Sequence, residues 1–246
     1  MNTLGHNWPF MVIPILVTIL GGLIASSIRL PPAVRSMIQH FTAGVVFAAI
    51  AGEVIPDVLD RHSPVSTVVG FAAGVGLMFG ISRISDTLLP EGPASPEPAP
   101  RGRFPAPLIA AVSIDGLIDG LVIGIGFTVG TSLGLLVTFA LSLEMFFLGM
   151  STAAVLRSRG TAPSRASIIT SGAALMIAVG AALGVTVFGR LSDAGLAGVL
   201  AFGSAALLYL VTEELLIEAH SGPETRAMSS LFFAGFLTLL IVEMTL

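Results

Sequence analysis

The chain has 246 residues, of which 54% are apolar and only 11% charged, with a formal net charge of −4 and no cysteine. Its mean hydropathy of +0.96 is far above that of a soluble domain and points to an integral membrane protein in contact with the lipid bilayer. The missing cysteines exclude disulfides, thiolate metal sites and cysteine nucleophiles, and the mild acidity offers no basic surface for nucleic acid.

A membrane-spanning helix needs about 20 mainly apolar residues at roughly 1.5 Å rise each. The sequence supplies about eight such runs, which predicts an all-α, polytopic protein forming a single transmembrane domain over 1–246. The first run, 9–28, lacks a basic leader and a small-residue cleavage site, so it reads as a retained span rather than a signal peptide. The second, 35–59, carries Glu53 and Asp57 toward one end. The third, 64–88, contains Gly70 with Gly74 and Gly76 with Gly80, a spacing that lets helices approach closely in lipid. A proline-rich stretch, PEGPASPEPAPRGR from Pro90, predicts a flexible or extended loop over 89–103. The fourth run, 104–129, holds Asp115 and Asp119 in the phrase SIDGLIDGLVIGIG, along with Gly116, Gly120 and Gly124. The fifth, 132–156, has a single acid in its apolar body, Glu144. The sixth, 165–188, repeats the glycine spacing at Gly180 and Gly184. The seventh, 194–219, ends in Glu213, Glu214 and Glu218, with His220 just beyond. An eighth, 228–246, closes the chain. His6, His40 and His62 read as loop or interface residues.

Arginine sets the orientation, because the chain has no lysine. Arg29, Arg35, Arg101, Arg103, Arg157, Arg159, Arg165 and Arg226 fall in the odd-numbered connections, Arg61 and Arg190 in the even ones, and Arg83 near the end of the third span. By the positive-inside rule both termini lie outside the cytoplasm. Spans two and seven also echo each other. GEVIPD from Gly52 lies beside EELLIE from Glu213 when Glu53 is paired with Glu214 and Asp57 with Glu218. Spans of opposite direction that share a pattern are the mark of an inverted repeat.

Asp115 and Asp119 are one helical turn apart, so their carboxylates point to the same side of span four. Counted from Phe104, they lie roughly 16 to 22 Å along the helix, near the middle of a hydrocarbon core about 30 Å thick. Counted from Ser132, Glu144 lies at roughly 18 Å, the same level. A carboxylate at that depth costs at least about 2.5 kcal/mol, and three together also repel. Protons or a bound cation must offset this, since no arginine lies within either span. The alternative to a cation is a set of protonated acids hydrogen-bonded between helices. Acids at both ends, Glu53 and Asp57 at one and Glu213, Glu214, Glu218 and His220 at the other, describe a graded cation path, which needs stations weak enough to release what they bind.

At these residues the chain resembles the ZIP (Zrt/Irt-like) family of divalent metal transporters, particularly its bacterial branch. LLYLVTEELLIEAH from Leu207 is similar to that branch's seventh helix, and IDGLVIGIGF from Ile118 to the fourth-helix signature His-Asn-x-x-Glu-Gly-Leu. The resemblance implies eight helices in a 3+2+3 inverted-repeat arrangement and both ends outside a bacterial inner membrane. It further implies a homodimer, and metal moving toward the cytoplasm. It also implies Asp115, Asp119 and Glu144 as the metal ligands, with the ion as substrate, no resident cofactor and no enzymatic activity. The departures are specific. Asp115 stands at the signature's histidine, Gly116 at its asparagine, Ile118 at its proline and Asp119 at its glutamate. Span five reads Glu144, Met145, Phe146, Phe147, Leu148, Gly149 where the family has His-Glu-x-Pro-Glu-Gly. A second metal position loses its ligands, so one central ion is expected. That site is all oxygen, which suits harder ions such as Mn better than imidazole would, with Zn, Fe and Cd as the other candidates. Ligands that must shed protons make binding weaken as pH falls. The absent prolines remove the family's reason for a local kink.

Two other readings stand beside this one. Paired aspartates can share a proton and activate water, as in an intramembrane aspartyl protease. Against that, the two aspartates here sit on one helix and no Gly-x-Gly-Asp phrase is present. The other is a ZIP-like relict that carries protons or no metal.

Overall fold

The computed structural model describes residues 3–28, 31–88, 106–158, 160–220 and 225–245. The loop expected over 89–103 lies outside the described residues, as do Arg29, Arg101, Arg103, Arg159 and the side chains of His6, Arg35 and Glu218. Among the described residues all regular structure is helical. The helices are α1 (Thr3–Ser27), α2 (32–60), α3 (Pro64–Leu88), α4 (Ala106–Val129), α5 (Thr131–Ser158), α6 (Pro163–Thr186), α7 (193–219) and α8 (Arg226–Glu243). All eight contain a stretch long and apolar enough to cross a membrane. In hydrocarbon a helix is the structure that satisfies each backbone N–H and C=O within its own segment, and the long unbroken apolar runs suit it.

The helix ends follow local chemistry. Pro32 and Pro163 stand in the first turn, where a missing N–H costs nothing. The hydroxyls of Ser192 and Thr225 accept from the Gly195 and Met228 amides and cap α7 and α8. Pro9 and Pro14 fall inside α1, which starts at Thr3, ahead of the expected Pro9.

Two helices are not uniform. In α2, residues Ile50–Val54 form a π-helical turn, and in α7 so do Leu210–Leu215. Laid over each other with Glu53 on Glu214, the two segments coincide to within one residue. Pro56 follows the first, but Ile217 stands in the matching place of the second, so proline is not their common cause. The π turns instead accompany the acids, and such bulges re-aim the side chains within them.

The helix pairings obey the same symmetry. The most extensive contacts are α4 with α6, α1 with α5, α2 with α8 and α3 with α7. Exchanging α1 with α6, α2 with α7, α3 with α8 and α4 with α5 carries α1–α5 onto α6–α4 and α2–α8 onto α7–α3. This is a 3+2+3 arrangement. It divides the helices into one group of α1, α4, α5 and α6 and another of α2, α3, α7 and α8.

Glycine makes these seams close. A Cβ on Gly120 would stand 2.1 Å from the Ile177 carbonyl oxygen, and one on Gly180 would stand 2.0 Å from that of Leu117. The symmetric seam behaves alike, with Gly21 at 2.1 Å from the Phe146 oxygen and Gly149 at 2.2 Å from that of Thr18. Gly76 and Gly80 differ from the expectation, since a Cβ on either meets nothing within 4 Å. Their face of α3 turns away from the other helices, so spacing alone overstated their role.

Candidate metal centre

The turn at Gly130 sends α5 back along α4, and the short connection makes the two helices antiparallel neighbours. Asp119 and Glu144 are buried at 1% and 3% exposure, while Asp115 is partly accessible. One carboxylate oxygen from each of Asp115, Asp119 and Glu144 lies within 4.8 Å of the others. The structure thus brings together the three acids that the sequence placed at one depth.

Their hydrogen bonding defines the chemistry. Oδ2 of Asp115, Oδ2 of Asp119 and Oε2 of Glu144 are all buried without a hydrogen-bond partner. Asp119 and Glu144 stand within hydrogen-bonding reach of each other. Ionised carboxylates only accept, so such a contact requires a proton or a cation between them. Oxygens that converge this closely from two helices could hold a divalent ion, and all of the donors are hard.

Among the three acids, Asp115 lines a cavity. A cavity of about 260 Å³ is lined by Asp115, Glu213, Glu214, Met78, Tyr209 and their neighbours. It runs between α4, α3 and α7. Glu213 and Glu214, both exposed, belong to the π turn of α7 and face the cavity that ends at Asp115.

The remaining predicted residues separate. Asp57 is ion-paired with Arg61 at 2.9 Å, and Arg61 reaches Asp193 at the start of α7 at 3.1 Å. Glu53, in the π turn of α2, faces Glu243 of α8. Neither Glu53 nor Asp57 is among the residues lining the cavity at Asp115. His220 packs against His40, with ring centroids 4.9 Å apart. His40 is a correction to the sequence reading: it is 2% exposed within α2 and not a loop residue. His62 does lie in the turn after α2, with φ of 47°. Four residues escaped sequence reasoning. Glu243 sits in the last turn of its helix, where an acid reads as solvated, and Met78, Tyr209 and Asp193 acquire their positions only through the α3–α7 and α2–α7 contacts.

Fold and site together define an eight-span helical membrane protein with a buried three-carboxylate cluster opening onto an acidic cavity. No family model matches the chain. A curated protein from Myxococcus xanthus named zinc transporter GufA is 31% identical over 114 residues. The match takes in 46% of this chain and 44% of that relative, so the chain aligns with less than half of the relative's length. That similarity and the eight apolar helices together mark an integral membrane protein that resembles a zinc transporter over less than half of its length.

Proposed function

We propose that the protein carries divalent metal ions across the membrane, with Asp115, Asp119 and Glu144 as the ligands of a single central site. The observation that supports this most is the set of three carboxylates, each with one oxygen within 4.8 Å of the others and each with a buried oxygen that has no hydrogen-bond partner. An ion there would offset the repulsion and desolvation that the cluster otherwise bears. The relative's name, a zinc transporter, supports a metal substrate. The donor set here is all oxygen, and on that ground we favour Mn over Zn, with Fe and Cd also accommodated.

The mechanism follows from where the ligands sit. All three belong to the α1–α4–α5–α6 group, whereas Glu213 and Glu214 belong to the other. Movement of one group against the other would carry the triad between two sides of the membrane, the alternating access of inverted-repeat carriers. In the state described, the ion leaves Asp115 for the cavity, where Glu213 and Glu214 attract it without enclosing it. The arginine distribution makes that side cytoplasmic and both termini external. A bacterial inner membrane and a homodimer belong to the same reading on resemblance alone.

Uptake of Mn, Zn, Fe, Mg and Cd into proteoliposomes tests this. The native chain is expected to take up Mn at least as well as Zn, and Asp119→Ala is expected to take up neither. Unchanged uptake in the variant would remove the triad from the pathway.

A further inference from the structure

His40 lies near the start of α2 and His220 at the end of α7, and the transport scheme above uses neither. Their rings pack with centroids 4.9 Å apart and planes inclined at 59°. Nδ1 of His40 bonds the Ser36 carbonyl oxygen at 2.9 Å, and Nδ1 of His220 bonds that of Leu216 at 2.5 Å. A backbone carbonyl can only accept, so each Nδ1 carries the proton. In a neutral imidazole the lone pair is then on Nε2. A ligating histidine is commonly held this way, its other nitrogen donating to a carbonyl that fixes ring and tautomer.

We propose that His40 and His220 form a second cation site, separate from the carboxylate triad, that takes a borderline divalent transition-metal ion through the two Nε2 atoms. The spacing suits it. A zinc–nitrogen bond of about 2.0–2.1 Å puts an in-line ion about 3.2 Å from a ring centroid. With both Nε2 atoms turned to one ion, two such centroids 4.9 Å apart would subtend about 100° at it, close to a tetrahedral angle. The pair is also braced. Ser36, one turn before His40, donates its hydroxyl to the Ala219 carbonyl at 2.7 Å and so ties α2 to the residue preceding His220. His40 is buried and His220 exposed, so the pair joins the helix core to the solvent side. His220 follows Glu214 by six residues, roughly 9 Å along the helix, so the site lies beyond the acidic cavity in the same direction. Its nitrogen donors select for Zn, Co or Ni where the centre selects for hard ions.

The site stands apart from the transport reading, because its test measures binding and not uptake. Purified full-length chain in nanodiscs, carrying Asp115→Asn, Asp119→Asn and Glu144→Gln together, is dialysed against zinc. About one zinc per chain is expected to remain, with nitrogen neighbours at about 2.0–2.1 Å by X-ray absorption. Adding His220→Gln is expected to weaken that binding at least tenfold. In the unsubstituted chain, His220→Gln alone is expected to lower bound zinc from about two ions to about one. His220 is exposed, so an unchanged elution volume and far-UV spectrum accompany these results. Zinc binding indifferent to His220→Gln in both backgrounds, or zinc held by oxygen alone in the triple variant, overturns the site.

Discussion

Asp57 and Asp119 are both aspartates in membrane-spanning helices, yet the protein treats them in opposite ways. Asp57 has a cation of its own. Arg61, one turn further on, holds it at 2.9 Å and also reaches Asp193 on α7, with the Asp57 side chain 26% exposed to solvent. Asp119 is 1% exposed, and its nearest ionisable neighbours are two more carboxylates. A pair such as Asp57–Arg61 is complete and stays put, contributing little more than about 1 kcal/mol at a partly exposed position. A buried cluster of one sign is incomplete by construction. It needs protons or a cation from elsewhere to offset its charge, whereas the Asp57–Arg61 pair carries its own counter-charge.

The comparison can be broken where its contrast is sharpest. Glu144→Gln removes a charge and a donor oxygen from the buried cluster while keeping its shape. Metal affinity measured by calorimetry is expected to fall by about 100-fold or more, beyond the 10- to 100-fold typical of losing an outer-shell partner. Affinity within a few-fold of native would mean that the cluster is held by protons alone.

Acidification acts on the same oxygens without mutation. Protons and metal compete for the triad, so affinity is expected to fall up to about tenfold per pH unit for each proton displaced, and binding should release protons into a weakly buffered medium. The sign follows directly, since the ligating form is the deprotonated one. The same titration on the Glu144→Gln protein should show a shallower slope.

Glu214→Gln probes the intermediate case, an acid beside the cavity but outside the buried triad. Affinity at the centre is expected to change less than about threefold, while the uptake rate drops several-fold, because a station that only attracts a passing ion sets its exit rather than its binding. Equal losses in both would place Glu214 among the central ligands.

The smallest effect belongs to the complete pair. Arg61→Ala should leave uptake within about twofold of native and lower stability by about 1 kcal/mol or less, read as a small shift in thermal unfolding. A loss as large as that of Glu144→Gln would show that the Asp57–Arg61–Asp193 contact is part of the transport machinery and erase the distinction drawn above.

Much of this was legible beforehand, for identifiable reasons. Apolar runs long enough to cross a bilayer suit a helix, so eight spans followed from hydropathy. The pairing of Asp115 and Asp119 followed from the helical repeat, and their meeting with Glu144 followed from equal depth on helices joined by a tight turn. The echo of GEVIPD in EELLIE anticipated two matching irregularities but not their form, because no residue in both copies marks a π turn. The same limit applied to the glycines. Gly120 and Gly76 occur in equally regular spacings, and only one meets a neighbouring backbone.

By itself, then, the sequence determined the helical class, the number of spans and the common level of the central acids, since each depends on composition and rise along a single helix. Only the tertiary structure decided which acids found an arginine, which faced a cavity, and that His40 lies buried against His220. Those outcomes depend on the rotation of each helix about its own axis and on which helix lies beside it. Packing between distant segments sets both, and no stretch of the chain carries that information alone.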